Sequence, residues 1–401
     1  MNKKQELGIY IHIPFCAKKC YYCDFVSYPN MKEKQKEYVE ALKNEIKLYD
    51  LQNYNVTTIY IGGGTPSYIE SKYIVEILKN LKNKLKANET KFENMEITIE
   101  VNPGTVTKEK LLDYKKVGIN RLSIGLQSTS DRLLGQIGRI HKYQDFLQTY
   151  NLARNIGFEN INVDLMLGLP NQSIEDLKES IENVIDLQPE HISIYSLIVE
   201  ERTKLYKKIE TGELQLPEEE LEREMYWYTK SKLELAGYKH YEISNYAKPK
   251  RKSKHNSNCW EQKQYIGIGA AAHSYLNNVR YCNVSNLEEY ISNMAKLEAD
   301  FEDKYIVNER QSLEDKKNEF MLLGLRKIDG VSISKFKEKY VENPIFKYRD
   351  SLEKLVNDGL VQIDGDVIRL TNRGLDLANI VWEEFIWGHP STKVNSFHKI
   401  S

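Results

Sequence analysis

The sequence predicts an α/β fold built on a parallel sheet, and three observations carry that expectation. Short apolar or β-branched runs recur through the first half of the chain, at Leu7 to Ile13, Thr57 to Ile61, Met95 to Val101, Arg121 to Gly125, Asn160 to Leu165 and His191 to Ser196. Nearly continuous runs of this kind mark strands covered on both faces. Between them lie amphipathic segments whose apolar residues repeat at three- and four-residue spacing: Val39, Leu42, Ile46 and Tyr49; Ile74, Ile77, Leu78 and Leu81; Ile174, Leu177, Ile181 and Ile185. Such alternation calls for right-handed crossovers and a curved or closed parallel sheet. Ligands of these sheets bind at the carboxyl ends of the strands.

Local signals agree with the elements. Thr107 is placed to cap a helix over Lys108 to Lys116, and Gly118 to stop it. Ser173-Ile174-Glu175-Asp176 has the form of a capping box with Asp in the last place. Pro217 and the three Glu that follow suit a first helical turn. Past residue 240 the pattern changes. Asn245 to Asn258 is polar and basic and reads as a loop, and Tyr265 to Ser274 is rich in Gly and Ala. From 309 onward helices are expected near 312–324, 332–340 and 346–357. A hairpin turning at Asp364-Gly365-Asp366 and a last helix over 371–387 complete a small winged-helix-like domain. The expected division is a barrel core over 1–240, a connecting segment over 241–308, a C-terminal domain over 309–387 and a frayed tail over 388–401.

Composition narrows the function. Among 401 residues, 57 Lys plus Arg balance 58 Asp plus Glu, a net charge of −1. A globally basic nucleic-acid binder is therefore excluded, because phosphate neutralisation needs surplus cations. No apolar stretch is long enough to span a membrane, and the first residues lack the apolar core of a signal peptide. Five Cys is an odd and small number, which points to a reducing cytoplasm.

The strongest chemical signal is Cys16-Ala17-Lys18-Lys19-Cys20-Tyr21-Tyr22-Cys23, directly after the first strand. The spacing admits a structural zinc site, a redox pair or an iron–sulfur cluster. Zinc ribbons show a second Cys or His pair, and here Cys259 and Cys282 stand alone. Three thiolates on one loop leave a cubane with one iron open to another ligand, and this is the favoured reading. Gly62-Gly63-Gly64-Thr65-Pro66 ends the second strand and lets backbone approach a ligand; no Gly-Lys-Ser/Thr follows, so it is not a P-loop. Glu100, Gln127 and Asp164 lie at or near later strand ends, and Arg139 could supply a cation for a carboxylate.

Together these residues resemble the radical S-adenosylmethionine (SAM) superfamily. The resemblance implies a [4Fe–4S] cluster on Cys16, Cys20 and Cys23 whose unique iron chelates SAM, with reductive cleavage to a 5′-deoxyadenosyl radical. The run Tyr10-Ile11-His12-Ile13-Pro14-Phe15-Cys16, the glycine turn, Leu122 to Gln127 and Val163 to Pro170 resemble the HemN/HemW family, from about residue 7 to 387. That family has a partial, six-stranded (β/α)6 barrel with a helical C-terminal domain. It implies SAM contacts from Tyr10, Tyr22, Gly63, Gly64, Thr65, Glu100, Gln127, Arg139 and Asp164.

The family holds an oxygen-independent coproporphyrinogen III dehydrogenase and a heme chaperone. The dehydrogenase has a fourth cysteine two residues after the third, where this chain has Cys23-Asp24-Phe25, and a longer segment before its cluster. Lys254 to Trp260 and Tyr265 to Ser274 resemble the chaperone's HNxxYW and GxGxxAH region, with Cys259 in place of the usual Tyr. The resemblance thus implies heme as ligand, His255 as its contact, heme-accepting proteins (membrane respiratory proteins among them) and an electron donor as partners. The basic run Lys248, Lys250, Arg251, Lys252 and Lys254 is expected to meet the heme propionates.

Overall fold

The computed structural model describes residues 4–86, 92–296 and 305–387. The chain falls into two compact units. One takes Met1–Lys239, Ser244–Asn256 and Lys263–Arg310, and the other takes His240–Ile243, Ser257–Gln262 and Gln311–Ser401.

The first unit is built on β1 (Gln5–Ile13), β2 (Tyr54–Gly63), β3 (Glu96–Val101), β4 (Arg121–Gln127), β5 (Ile161–Leu167) and β6 (His191–Ser196), side by side in sequence order. Every neighbouring pair among them is parallel, as the crossover helices require. The six strands expected from the sequence are therefore present, and the sheet is open. Beyond β6 lies a short antiparallel strand, β7 (Asn245–Ala247). On the far side of β1 lies β8 (Gln264–Ile268), parallel to it, then the antiparallel β9 (His273–Leu276), β10 (Val279–Asn283) and β11 (Tyr305–Arg310).

Three elements differ from expectation. The supposed loop over Asn245 to Asn258 contains β7 and the start of a helix, Lys254–Trp260. The Gly- and Ala-rich stretch supplies β8, where Gly267 is needed because a Cβ there would lie 2.1 Å from the His273 carbonyl oxygen. The inner strands are not apolar on both faces. Ile59, Ile61, Ile97, Ile99, Val163 and Ile192 belong to the main core, whereas the alternate positions Thr58, Thr98, Arg121, Ser123, Asn162 and His191 are equally buried and polar. The sheet thus packs one face on its helices and turns a buried polar face to the other side.

Helix ends follow their sequence signals. Thr107 Oγ1 accepts from the Lys110 N–H at 3.3 Å, and Gly118 ends that helix at φ +99°. Ser173 and Asp176 form the reciprocal capping box, with Asp176 N–H to Ser173 Oγ at 3.1 Å and Ser173 N–H to Asp176 Oδ2 at 2.9 Å. Ser173→Ala is expected to lower stability by about 1 kcal/mol, read as a shift of the urea midpoint at unchanged slope; an unmoved midpoint would remove the cap from the account.

In the second unit, helices Leu313–Arg326, Ile333–Tyr340, Arg349–Asn357 and Ala378–Trp387 enclose a core of Met321, Leu325, Phe336, Leu355, Ile368 and Phe385. The expected hairpin joins β12 (Val361–Asp364) to β13 (Val367–Leu370), with Gly365 at φ +55° in its turn. The tail over 388–401 lies outside the described residues. Among the described residues, no helix is long and apolar enough to cross a membrane.

Candidate cofactor site at the strand ends

β1 runs straight into the cysteine loop. Phe15–Cys16 pairs in parallel with Tyr28–Pro29 and closes the loop at its base, and the buried Phe15 ring packs edge-on against Tyr38. The middle of the loop is pinned by two backbone bonds, Tyr21 N–H to Ile137 O at 2.9 Å and Leu205 N–H to Tyr21 O at 2.8 Å. Cys16 is buried, and Cys20 and Cys23 are half-buried. Burial pushes the Cys16 thiol up and takes the Cys23 thiol up to about 11. Both are therefore protonated without metal, and loading releases protons.

The glycine turn at the end of β2 is stitched to this loop. Gly64 N–H donates to Ile13 O and Thr65 N–H to Phe15 O, each at 2.9 Å, and the Thr65 hydroxyl donates to Cys16 Sγ at 3.5 Å. A Cβ on Gly64 would lie 2.9 Å from Cys16 Sγ. Gly63 sits at φ +117°, and a Cβ there would come within 2.6 Å of the His12 ring. Only glycine fits both positions.

Around the turn gather the later strand ends. Glu100 accepts from Tyr60 Oη at 2.9 Å and from Gly63 N–H at 3.1 Å, and burial pushes its carboxyl up to about 7. Asp164 accepts from Asn162 Nδ2 at 2.6 Å and Ser123 Oγ at 3.1 Å; burial raises it too. Gln127 follows a register slip in β4 and sits at φ +73°, a strained bulge of the kind that re-aims a side chain at functional sites. Arg139 donates through Nη2 to Gly125 O and through Nη1 to Asn102 Oδ1, both at 3.0 Å, and lies 3.8 Å from Cys20 Sγ. Asn102 in turn donates to Thr65 Oγ1 at 2.9 Å. Tyr10 bonds His12 Nδ1 at 2.9 Å and stacks on Tyr60 with centroids 6.2 Å apart. Tyr22 packs against a small apolar cluster of Leu133, Ile137, Met166 and Leu169. Asn102 and Tyr60 were not singled out from the sequence. The available signals were the Asn-Pro pair after β3, and for Tyr60 the polar face it shares with Thr58.

Cys20, Thr65, Asn102, Arg139 and His141 line one small recess. The residues fit a [4Fe–4S] cluster with SAM beside it. The donors are thiols on one anchored loop, the glycine turn leaves a cradle that a Cβ would fill, and Arg139 Nε is buried with no hydrogen-bond partner. Among the described residues, no three His, Cys, Asp or Glu side chains converge on the position of a single ion. A cubane does not ask for that, because each thiolate binds a different iron.

His255 is placed elsewhere. Its Nδ1 lies 2.9 Å from Thr58 Oγ1 and its ring 5.2 Å from that of Tyr60. Thr58 is four residues before Gly62 on β2, so the imidazole lies roughly 13 Å below the glycine turn. It is 7 % exposed, and burial pushes it down to about 4. The backbone N–H groups of Lys254 and His255 donate to Glu96 at the start of β3. The histidine read as part of a loop is thus a neutral core residue, because the segment from Lys254 folds as a helix on the amino ends of the strands. The basic run shares this end: Lys248 bonds the backbone of Glu190 and Gln188, just before β6.

The fold and the cysteine loop define a radical SAM protein. The family model of the Radical SAM superfamily matches residues 10–184, and that of the HemN C-terminal domain matches residues 311–377. The chain is 39% identical over 379 residues to the heme chaperone HemW of Bacillus subtilis, covering 94% of this chain and 98% of that one. It is 35% identical to HemW of Lactococcus lactis, over 94% and 96% of the two chains. The chain belongs to the HemW family. Among solved structures, coproporphyrinogen III oxidase (HemN) from Escherichia coli superposes with a TM-score of 0.82 at 23% identity, covering 95% of this chain and 90% of that one; this likeness concerns the fold.

Proposed function

We propose that this chain is a cytoplasmic heme chaperone. It binds heme, carries a [4Fe–4S] cluster on Cys16, Cys20 and Cys23, binds SAM, and passes heme to acceptor proteins, membrane respiratory proteins among them. The observation that carries the reading is the end-to-end likeness to HemW relatives. When bound and reduced by an electron donor, a [4Fe–4S] cluster on these cysteines would supply the electron for reductive cleavage of SAM.

The chain's own groups would orient SAM. The Arg139 guanidinium offers charge to a carboxylate beside Cys20. Gly63, Gly64 and Thr65 let backbone approach the ligand's amino group. Glu100, Gln127 and Asp164 would accept from its polar edge, and Tyr10 and Tyr22 would flank it. Heme iron would meet the His255 imidazole only if the turn beginning at Lys254 opened, because the ring is packed on Thr58 and Tyr60.

The test is anaerobic reconstitution with iron and sulfide, then two parallel measurements. Hemin addition is expected to give a saturable Soret change, and coproporphyrinogen III is expected to remain unconverted. Turnover to protoporphyrinogen IX would make the chain a decarboxylase and overturn the chaperone reading.

A further inference from the structure

The polar inner face of the sheet holds one charge that the fold leaves unanswered. Arg121 opens β4 and is 2 % exposed, and its Nε is buried with no hydrogen-bond partner. In the strand register it stands beside Thr98 of β3, which is fully buried and whose Oγ1 also lacks a partner. Two buried donors thus sit side by side on neighbouring strands. A guanidinium is not deprotonated inside a protein, so this charge cannot be shed. Burying it is costly unless an opposite charge meets it.

The neighbouring acids are committed elsewhere. Glu100, two residues along β3 from Thr98, accepts from Tyr60 Oη and Gly63 N–H. Glu96, two residues back, accepts from the N–H groups of Lys254 and His255. Asp164 of β5 accepts from Asn162 Nδ2 and Ser123 Oγ. None of these bonds comes from Arg121. Asn162 Oδ1 is taken as well, by His191 Nδ1 at 2.6 Å and Ser193 Oγ at 3.1 Å. The nearby imidazoles of His191 and His255 are held below the ordinary value, first by burial and then by the Arg121 charge. Being neutral, they bring no compensating charge.

We propose that Arg121 and Thr98 hold a small monovalent anion, of the size of chloride or formate, within the amino-terminal half of the sheet. The guanidinium supplies charge and N–H donors, and the Thr98 hydroxyl supplies one donor more. A small ion suits the place because Thr58, Asn162 and His191 beside it are all buried. Water could bond the guanidinium but would leave its charge in place. The site is separate from the cofactor end of the strands. Gln127 lies six residues further along β4, roughly 20 Å away. The inference does not depend on the heme reading.

The test uses the full chain with its cluster loaded, unfolded anaerobically in urea. Chloride, formate and propionate are the probes, at constant ionic strength made up with gluconate, an anion too large to be enclosed. The wild-type midpoint is expected to rise saturably with chloride and formate, because an ion bound only by the folded chain stabilises it. At ten times the dissociation constant, the folded-to-unfolded ratio should gain roughly tenfold. Arg121→Gln should lose the response. A wild-type midpoint indifferent to both ions overturns the site and leaves water on the guanidinium. A folded variant that responds as wild type does also overturns it, since the ion then binds elsewhere. Propionate as effective as formate overturns the enclosure and gives Arg121 to the carboxylate end of a larger ligand. If the variant does not fold, wild-type crystals grown in bromide decide: an anomalous peak in contact with Arg121 and Thr98 supports the site, and no peak there overturns it.

Discussion

Replacing Cys16, Cys20 or Cys23 singly with alanine is expected to leave a folded chain that cannot be loaded. After anaerobic incubation with iron and sulfide, wild type should hold about four irons per chain and the variants close to none. The reason is in the loop's construction. The backbone pins at Tyr21 and Tyr28 and the buried Phe15 hold it without metal, so the thiols contribute ligation and little of the fold. Cys282→Ala, in β10, is the control and should load fully. Because burial pushes Cys23 up to about 11 and raises Cys16 as well, loading should also weaken as pH falls. Iron and sulfide analysis beside far-ultraviolet circular dichroism checks both statements. Full iron content in any one of the three variants would falsify the ligand assignment.

Glu100→Gln is expected to stabilise the metal-free chain at pH 8 and to leave it nearly unchanged at about pH 4. The folded-state carboxyl titrates at about 7 against an ordinary value of 4.5, so the folded chain holds a proton that the unfolded chain has already released. Stability therefore falls as pH rises from 4.5 toward 7 and is level outside that window. The full difference is roughly 3 kcal/mol. The variant lacks this loss. At about pH 4 the acid is largely neutral in both states and behaves like the amide, whose oxygen can still accept one of the bonds now given by Tyr60 and Gly63. Asp164 lies close enough to help raise Glu100, so the difference between the two proteins reports Glu100 together with that mutual repulsion. Denaturant unfolding across this range measures it, and parallel pH curves would contradict the placement of a buried, reluctant carboxylate beside the glycine turn.

Much of this arrangement could be read from the chain. The six parallel strands, the capping box at Ser173 and the hairpin at Gly365 announce themselves through local periodicity and turn chemistry, which act over a few residues. The gathering of Cys16, Gly64, Glu100 and Arg139 was legible for a different reason, since parallel strands deliver their carboxyl ends to one side. What escaped depends on long-range contacts. β8 hides in a stretch of Gly and Ala because its role is close approach to the backbone of His273. His255 reads as a polar loop residue, since nothing nearby in sequence reveals that Thr58, Tyr60 and Glu96 will enclose it. Gln127 gives no local hint of the slip that puts it at positive φ.

The polar inner face of the sheet has a consequence for traffic. Thr58, Thr98, Arg121, Asn162 and His191 fill the amino-terminal half of the strands and are nearly inaccessible to water, so that half is a stopper. A ligand held among the carboxyl ends of these strands would find the far end of the sheet plugged.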